Sequence, residues 1–102
     1  MEIVFQSHHA NVSDRTRLAA RRGLEKIGQR IKRPVAGVVR FEEDGPIRRV
    51  ELVLQGRGRR LVAEGTGRYF GPALTAALAH LETQVRRLRR QATSRSRRPA
   101  PR

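Results

Sequence analysis

The sequence predicts an α+β domain of two layers, in which two helices pack on one face of a four-stranded mixed sheet. Apolar residues recur at helical spacing in two segments, one in the first third of the chain and one in the last. Between these segments, and at the start of the chain, short runs of strand-forming residues alternate apolar with polar positions. The predicted order is therefore β-α-β-β-β-α, and 102 residues suit one domain with a modest core.

The first strand and the first helix follow from local patterns. Residues Glu2–Gln6 read EIVFQ, a short run of strand formers, and the loop SHHANVSD follows. Ser13 is a predicted N-cap, and the helix is expected to continue to about Ile31, before Pro34 ends the segment. The apolar stripe of this helix consists of Ala20, Leu24, Ile27 and Ile31.

Three further strands are predicted over residues 35–43, 48–55 and 59–65. The turn signals DGP and GRG join them, so these strands should form an antiparallel meander. The helix between the first two strands allows a right-handed crossover, which lets those two strands run parallel. The side chains expected under the helices are Val35, Val39, Phe41, Val50, Leu52, Leu54, Leu61 and Ala63. Those expected on the other face are Val38, Arg40, Arg49, Glu51, Val53, Arg60, Val62 and Glu64.

The last helix has the clearest pattern. It should run from Ala73 to Gln91, with Pro72 in its first turn. Its apolar stripe consists of Leu74, Ala77, Leu78, Leu81, Val85 and Leu88. Residues 92–102 contain Ser, Pro and Arg but no large apolar side chain, which predicts a disordered tail. The expected organisation is thus an α+β domain at residues 1–91 and a disordered arginine-rich tail at residues 92–102.

The charge of the chain indicates its class of partner. Lys and Arg number 23 against 9 Asp and Glu, which gives a net charge of +14, and the segment from Arg86 to the end contains no acid. A domain this basic usually binds nucleic acid, whereas sparse apolar anchors on the basic segments argue against a membrane. Both predicted helices carry cations outward, so they should present one broad cationic surface. The candidate RNA-binding residues are Arg17, Arg21, Arg22, Lys26, Arg86, Arg87, Arg89 and Arg90.

Other patterns indicate ordinary structural roles. The chain has no Cys, and the adjacent His8 and His9 lack further ligands, so no metal site is expected. The glycine-rich strings lack nucleotide-binding spacings, and no nucleophile or acid pair stands at catalytic spacing. Neither an enzyme, a cofactor nor a small-molecule substrate is therefore expected. The start does not read as a signal peptide and no apolar run could span a bilayer, so we expect a cytoplasmic protein, monomeric when free.

Several strings resemble the short form of the ribosome hibernation-promoting factor family, which includes the ribosome-associated inhibitor. The start, IVFQSHHANVSD, is similar to the family's strand, loop and capped helix, and RRGLEKIGQRI is similar to its first helix. The string VAEGTGRYFGPAL supplies the family's Ala-Glu-Gly and the later Tyr69. A basic run ends the family's last helix, and Arg87, Leu88 and Arg89 stand there. The resemblance covers about residues 1–91.

This resemblance implies a function and a set of residues. Family members bind the small ribosomal subunit and its ribosomal RNA through the basic surface of two helices, in the channel for messenger RNA and tRNA. They silence translation under stress or in stationary phase. By position, the resemblance assigns RNA contacts to Arg17, Lys26, Arg87 and Arg89. Charge by itself leaves two alternatives open, a general RNA- or DNA-binding protein (an RNA chaperone or nucleoid protein) and a constitutive ribosomal protein.

Overall fold

The computed structural model describes the backbone of residues 1–31 and 34–97 and the side chains of residues 1–31 and 36–91. Its elements are β1 (Glu2–His8), α1 (Asp14–Gly28), β2 (Pro34–Asp44), β3 (Ile47–Gly56), β4 (Arg59–Gly67) and α2 (Phe70–Arg97). The sheet has the order β1-β2-β3-β4, with β1 parallel to β2 and the other pairs antiparallel. The predicted order, mixed sheet and α+β class are therefore confirmed.

The core lies between the sheet and the two helices. Its largest fully buried side chains are Phe41, Leu24, Leu52, Leu54, Leu81, Val39, Val50 and Val85. The Phe41 ring lies between two others, 6.5 Å from the parallel ring of Phe5 and 5.5 Å from the perpendicular ring of Phe70. The side chains predicted to lie under the helices are buried or half-buried, apart from Val35, whose side chain lies outside the described part.

Helix α1 begins where the sequence predicts and ends earlier. The Oγ of Ser13 accepts a hydrogen bond from the backbone amide of Thr16 at 3.2 Å, which confirms the N-cap. The helix ends at Gly28, three residues before the predicted Ile31. The amides of Arg30 and Ile31 each donate to the carbonyl three residues earlier, at 3.0 and 3.2 Å, so the chain tightens there into a narrower turn.

Helix α2 is longer than predicted at both ends. It begins at Phe70, where the amide of Ala73 donates to the carbonyl of Tyr69 at 3.2 Å. It continues to Arg97, six residues past the predicted end at Gln91. These six residues contain neither Gly nor Pro, so an established helix can continue through them at low cost. Residues 98–102 lie outside the described residues, and the disorder of the tail stays a prediction.

The face of the sheet opposite the helices carries a row of valines. Val4, Val38, Val53 and Val62 are register partners across all four strands. Val53 was predicted to point away from the helices and does so, yet it is only 8% exposed. Its two cross-strand neighbours flank it closely, because directly opposed side chains in a sheet lie about 5 Å apart. The sheet therefore shields part of its own open face.

Candidate RNA-binding surface

The two helices lie side by side and run in the same direction. A Cβ at Gly23 of α1 would lie 2.7 Å from Cδ1 of Leu78, so the missing side chain lets the helices approach here. Two residues past the end of α1 and one turn further along α2, Nη1 of Arg30 donates to Oε1 of Glu82 at 2.6 Å. Because the second contact is further toward the C-terminus on both chains, the helices are parallel and their outward sides form one continuous surface.

Four of the eight predicted cations lie on this outward side, and we call them the two-helix surface. Arg22 and Lys26 belong to α1, and Arg86 and Arg90 belong to α2; each pair is separated by four residues and so is stacked one turn apart. All four side chains are exposed. Within the described part of the chain, Arg86 is the one member with a carboxylate within 4 Å. The surface therefore carries charge that the protein itself does not neutralise.

Two other predicted cations lie on the flank of α1 that faces β1. The guanidinium carbon of Arg21 stands 5.3 Å from the ring centroid of Phe5, and its Nη1 is 3.9 Å from Oε1 of Glu25. Arg17 precedes Arg21 by one turn and shares this flank. The structure thus divides what the sequence predicted as one surface, because Arg17 and Arg21 lie beside the two-helix surface.

The remaining two predicted cations point to opposite sides of α2. Gln84 donates from Nε2 to the carbonyl of Val62 at 2.7 Å, which fixes the side of α2 that faces β4. Arg87 follows Gln84 by three residues and lies near this side. Arg89 follows Glu82 by seven residues and lies on the side nearer α1. Both arginines are exposed, but they cannot contact the same flat surface.

Glu82 is the acid at the junction of the two helices. Its Oε1 accepts from Arg30 at 2.6 Å and lies 3.3 Å from Nη2 of Arg86. The hydrogen bond from Arg30, followed by that from Arg86, lowers the pKa of this carboxyl below its ordinary value of 4.5. The acid therefore joins the end of α1 to α2 and holds Arg86 at the edge of the two-helix surface.

In the Glu82→Gln variant, the free energy of unfolding should lose the part of its pH dependence that comes from the Glu82 carboxyl. Because folding lowers the pKa of Glu82, its contribution is fully present above the ordinary value of 4.5 and is lost as pH falls through the lowered pKa. The difference in unfolding free energy between wild type and Glu82→Gln should therefore shrink between about pH 7 and about pH 3. Urea titrations followed by circular dichroism measure it. A difference that stays constant with pH would contradict the assignment.

The structure shows three further exposed arginines that are not among the eight candidate RNA-binding residues. Arg57, Arg59 and Arg60 lie in the β3–β4 turn and at the start of β4, and all three are exposed. This turn lies at the end of the sheet toward which α2 runs. The string GRGRR, with its three arginines, was a visible signal, but its glycines indicated only a turn.

The β2–β3 hairpin at the opposite end of the molecule carries acids and arginines close together. Glu42, Glu43 and Asp44 are the last three residues of β2, next to the turn of this hairpin. Arg48 is 2.8 Å from Glu43 and Arg49 is 3.6 Å from Glu42, so the cations of this hairpin are paired. Among the described side chains, most exposed cations without a carboxylate within 4 Å therefore lie on the helices and near the β3–β4 turn, with Arg40 and Arg68 elsewhere.

Two other sequence features lie away from the helices. His8 is the last residue of β1, where a loop was predicted, and its ring stands 4.4 Å from that of His9. Residues 1–31 and 34–97 contain no group of three or more His, Asp or Glu that could hold a metal ion. Within these ranges, no helix has the length and apolar character needed to cross a membrane.

Tyr69 directly precedes α2, and its side chain is 72% exposed.

Comparison with known proteins gives matches in both sequence and structure. The family described as sigma 54 modulation protein / S30EA ribosomal protein matches residues 3–93. The fold is similar to the N-terminal domain of Protein Y from Thermus thermophilus, with a TM-score of 0.71, 20% identity, and coverage of 85% of this chain and 94% of that one. It is also similar to a ribosomal subunit interface protein from Coxiella burnetii, with a TM-score of 0.69, 18% identity, and coverage of 87% and 98%. No protein of curated function matches the sequence.

Proposed function

This chain belongs to the sigma 54 modulation protein / S30EA ribosomal protein family, and we propose that it is a ribosome hibernation factor that binds the small ribosomal subunit and silences translation. The observation that carries the proposal is the two-helix surface, whose Arg22, Lys26 and Arg90 have no carboxylate within 4 Å in the described part of the chain. A surface of this kind suits a polyanion, and the family points to the ribosome as its source.

The proposed mechanism is occlusion. Arginine and lysine side chains on the two-helix surface contact phosphates of ribosomal RNA and displace the counterions condensed there. A domain held in this way in the channel for messenger RNA and tRNA blocks their entry by its volume, so no chemical step is needed. The proposal includes stress or stationary phase as the time of action, a location in the cytoplasm and a monomeric free form.

Sedimentation through sucrose gradients tests the proposal. In extracts of starved cells at low salt, the protein should move with the small subunit or with whole ribosomes, and it should return to the top of the gradient as salt is raised. In growing cells, the ribosomal peak should contain little of it.

Other distributions would contradict the proposal. Equal affinity for duplex DNA, free RNA and ribosomes would support a general nucleic-acid-binding protein. A constant ratio of protein to ribosomes in growing cells would support a constitutive ribosomal protein. Protein that stays at the top of the gradient at low salt would exclude ribosome binding altogether.

A further inference from the structure

We propose that the β3–β4 turn and the neighbouring part of α2 form a second phosphate-binding site for RNA, which extends the two-helix surface around one end of the molecule. This site, the basic end, consists of Arg57, Arg59 and Arg87, whereas Arg60 alternates with Arg59 along β4 and lies on the open face of the sheet with Val62. Its assignment to ribosomal RNA rests on the proposed function, whereas its affinity for RNA phosphates can be tested independently.

Two hydrogen bonds establish how α2 lies against β4. Nδ1 of His80 donates to the carbonyl of Glu64 and Nε2 of Gln84 donates to that of Val62, both at 2.7 Å. Four residues of a helix span about 6 Å along its axis, and two residues of a strand span about 6.6 Å. Contacts between α2 and β4 therefore repeat every four residues of the helix and every two residues of the strand. The same advance brings residue 88 of α2 level with residue 60 of β4. Arg87 therefore lies beside the start of β4, although about 30 residues of chain separate the two elements.

The turn that carries the other arginines is held in place. Nε2 of Gln55 donates to the carbonyls of Gly56 and Arg59, at 3.1 and 3.0 Å, which closes the turn from one side. The turn itself is two residues long, Arg57 and Gly58, with φ of +74° at the glycine. A backbone fixed in this way presents its side chains at defined positions, so less ordering is required when a ligand binds.

The charges of the basic end have no acidic partner among the described side chains. Arg57, Arg59 and Arg87 are exposed, and over residues 1–31 and 36–91 none of them has a carboxylate within 4 Å. Arg30, Arg48 and Arg49, by contrast, are each paired with an acid. Clustered like charges repel and disfavour the compact state, and bound phosphate would remove that repulsion.

Protection of the sheet edge is the competing explanation. β4 is an edge strand, and charged side chains on such a strand prevent its pairing with another molecule. This role would account for Arg59 and Arg60. It does not account for Arg57, which lies in the turn, or for Arg87, which lies on the helix. Convergence of Arg57, Arg59 and Arg87 at one end of the molecule favours a shared ligand.

The test compares two variants with the same net charge. Arg57→Gln with Arg59→Gln removes two charges from the basic end. Arg40→Gln with Arg68→Gln removes two exposed charges elsewhere, one on the open face of the sheet and one between β4 and α2. Affinity of the full chain is measured over a salt series, for purified small ribosomal subunits and for a single-stranded RNA oligonucleotide. The first variant should lose about 25-fold in affinity at about 0.1 M salt, with a salt slope shallower by about 1.4, while the second stays close to wild type.

Each other outcome has a defined meaning. Equal losses in the two variants would overturn the basic end, because only net charge would then matter. Wild-type affinity of Arg57→Gln with Arg59→Gln would overturn the basic end, and self-association of that variant would then favour edge protection. If the wild type binds the oligonucleotide but not the subunits, the proposed function is wrong. The affinities of the two variants for the oligonucleotide then still test whether the basic end binds RNA phosphates. Thermal denaturation confirms that both variants remain folded.

Discussion

Reversal of one cation on each helix, Lys26→Glu with Arg90→Glu, is expected to lower the affinity for small ribosomal subunits by about 100- to 1,000-fold at about 0.1 M salt. Each lost phosphate contact costs about 5- to 8-fold at this salt concentration, through the counterions no longer released. The new carboxylate also repels the phosphate, which adds a smaller penalty of about 2- to 4-fold per site in screened solvent. Sedimentation of purified subunits with the variant, over a range of salt concentrations, measures both the affinity and its salt slope.

The matched control is Arg40→Glu with Arg68→Glu, which changes the net charge by the same amount. Arg40 lies on the open face of the sheet, where its Nε donates to Oε1 of Gln6 at 3.2 Å, and Arg68 precedes α2. Long-range effects are screened within about 10 Å at this salt, so the control should lose only a few-fold in affinity. A control that loses as much as Lys26→Glu with Arg90→Glu would show that the two-helix surface has no special role.

The substitution Gly65→Ala is expected to destabilise the fold by about 3 kcal/mol, the upper end of the range for overpacking. A Cβ at this position would overlap the carbonyl oxygen of Ala73 and the amide nitrogen of Ala77, which are backbone atoms of α2. Because backbone atoms cannot rotate away, α2 would have to move off β4 and strain the two hydrogen bonds that join them. The midpoint of thermal unfolding should fall by about 12–20 °C, as calorimetry or circular dichroism would measure.

Gly71→Ala is the matched control for this prediction. Gly71 lies in the first turn of α2, and a Cβ there would meet no heavy atom within 4 Å. The same substitution should therefore be neutral or should stabilise by about 0.4–1 kcal/mol, since alanine restricts the unfolded chain. Equal destabilisation by the two substitutions would show that the close approach of α2 to β4 is not what requires glycine at residue 65.

The elements of the fold could be predicted from the sequence because their signals are local. Alternation placed Val50, Leu52 and Leu54 on the covered face, and the side chain of Ser13 caps α1 as expected. Element ends were less predictable. The end of α2 depends on how far a helix that is already formed can continue, and the low apolar content after Gln91 did not indicate that.

The candidate surface was only partly predictable. Helical spacing correctly separated outward from inward positions, and the eight candidate cations are all at least partly exposed. Spacing along one helix cannot show what lies beside it. The packing of Arg21 on Phe5 and the ion pairs of Glu82 with Arg30 and Arg86 both depend on contacts between different elements. The string GRGRR indicated a turn, and nothing local showed that α2 would run toward it.

The sequence by itself determined the fold class, the basic character and the family of this protein, because periodicity, composition and motif order are properties of the chain. The tertiary structure decided which cations act together. It united Arg22 and Lys26 with Arg86 and Arg90, placed Arg17 and Arg21 on a flank, and brought Arg57 and Arg59 to the end of the molecule where Arg87 lies. The physical reason is that helix–helix and helix–strand packing sets these neighbours, through close contacts such as those at Gly23 and Gly65 between residues far apart in the chain.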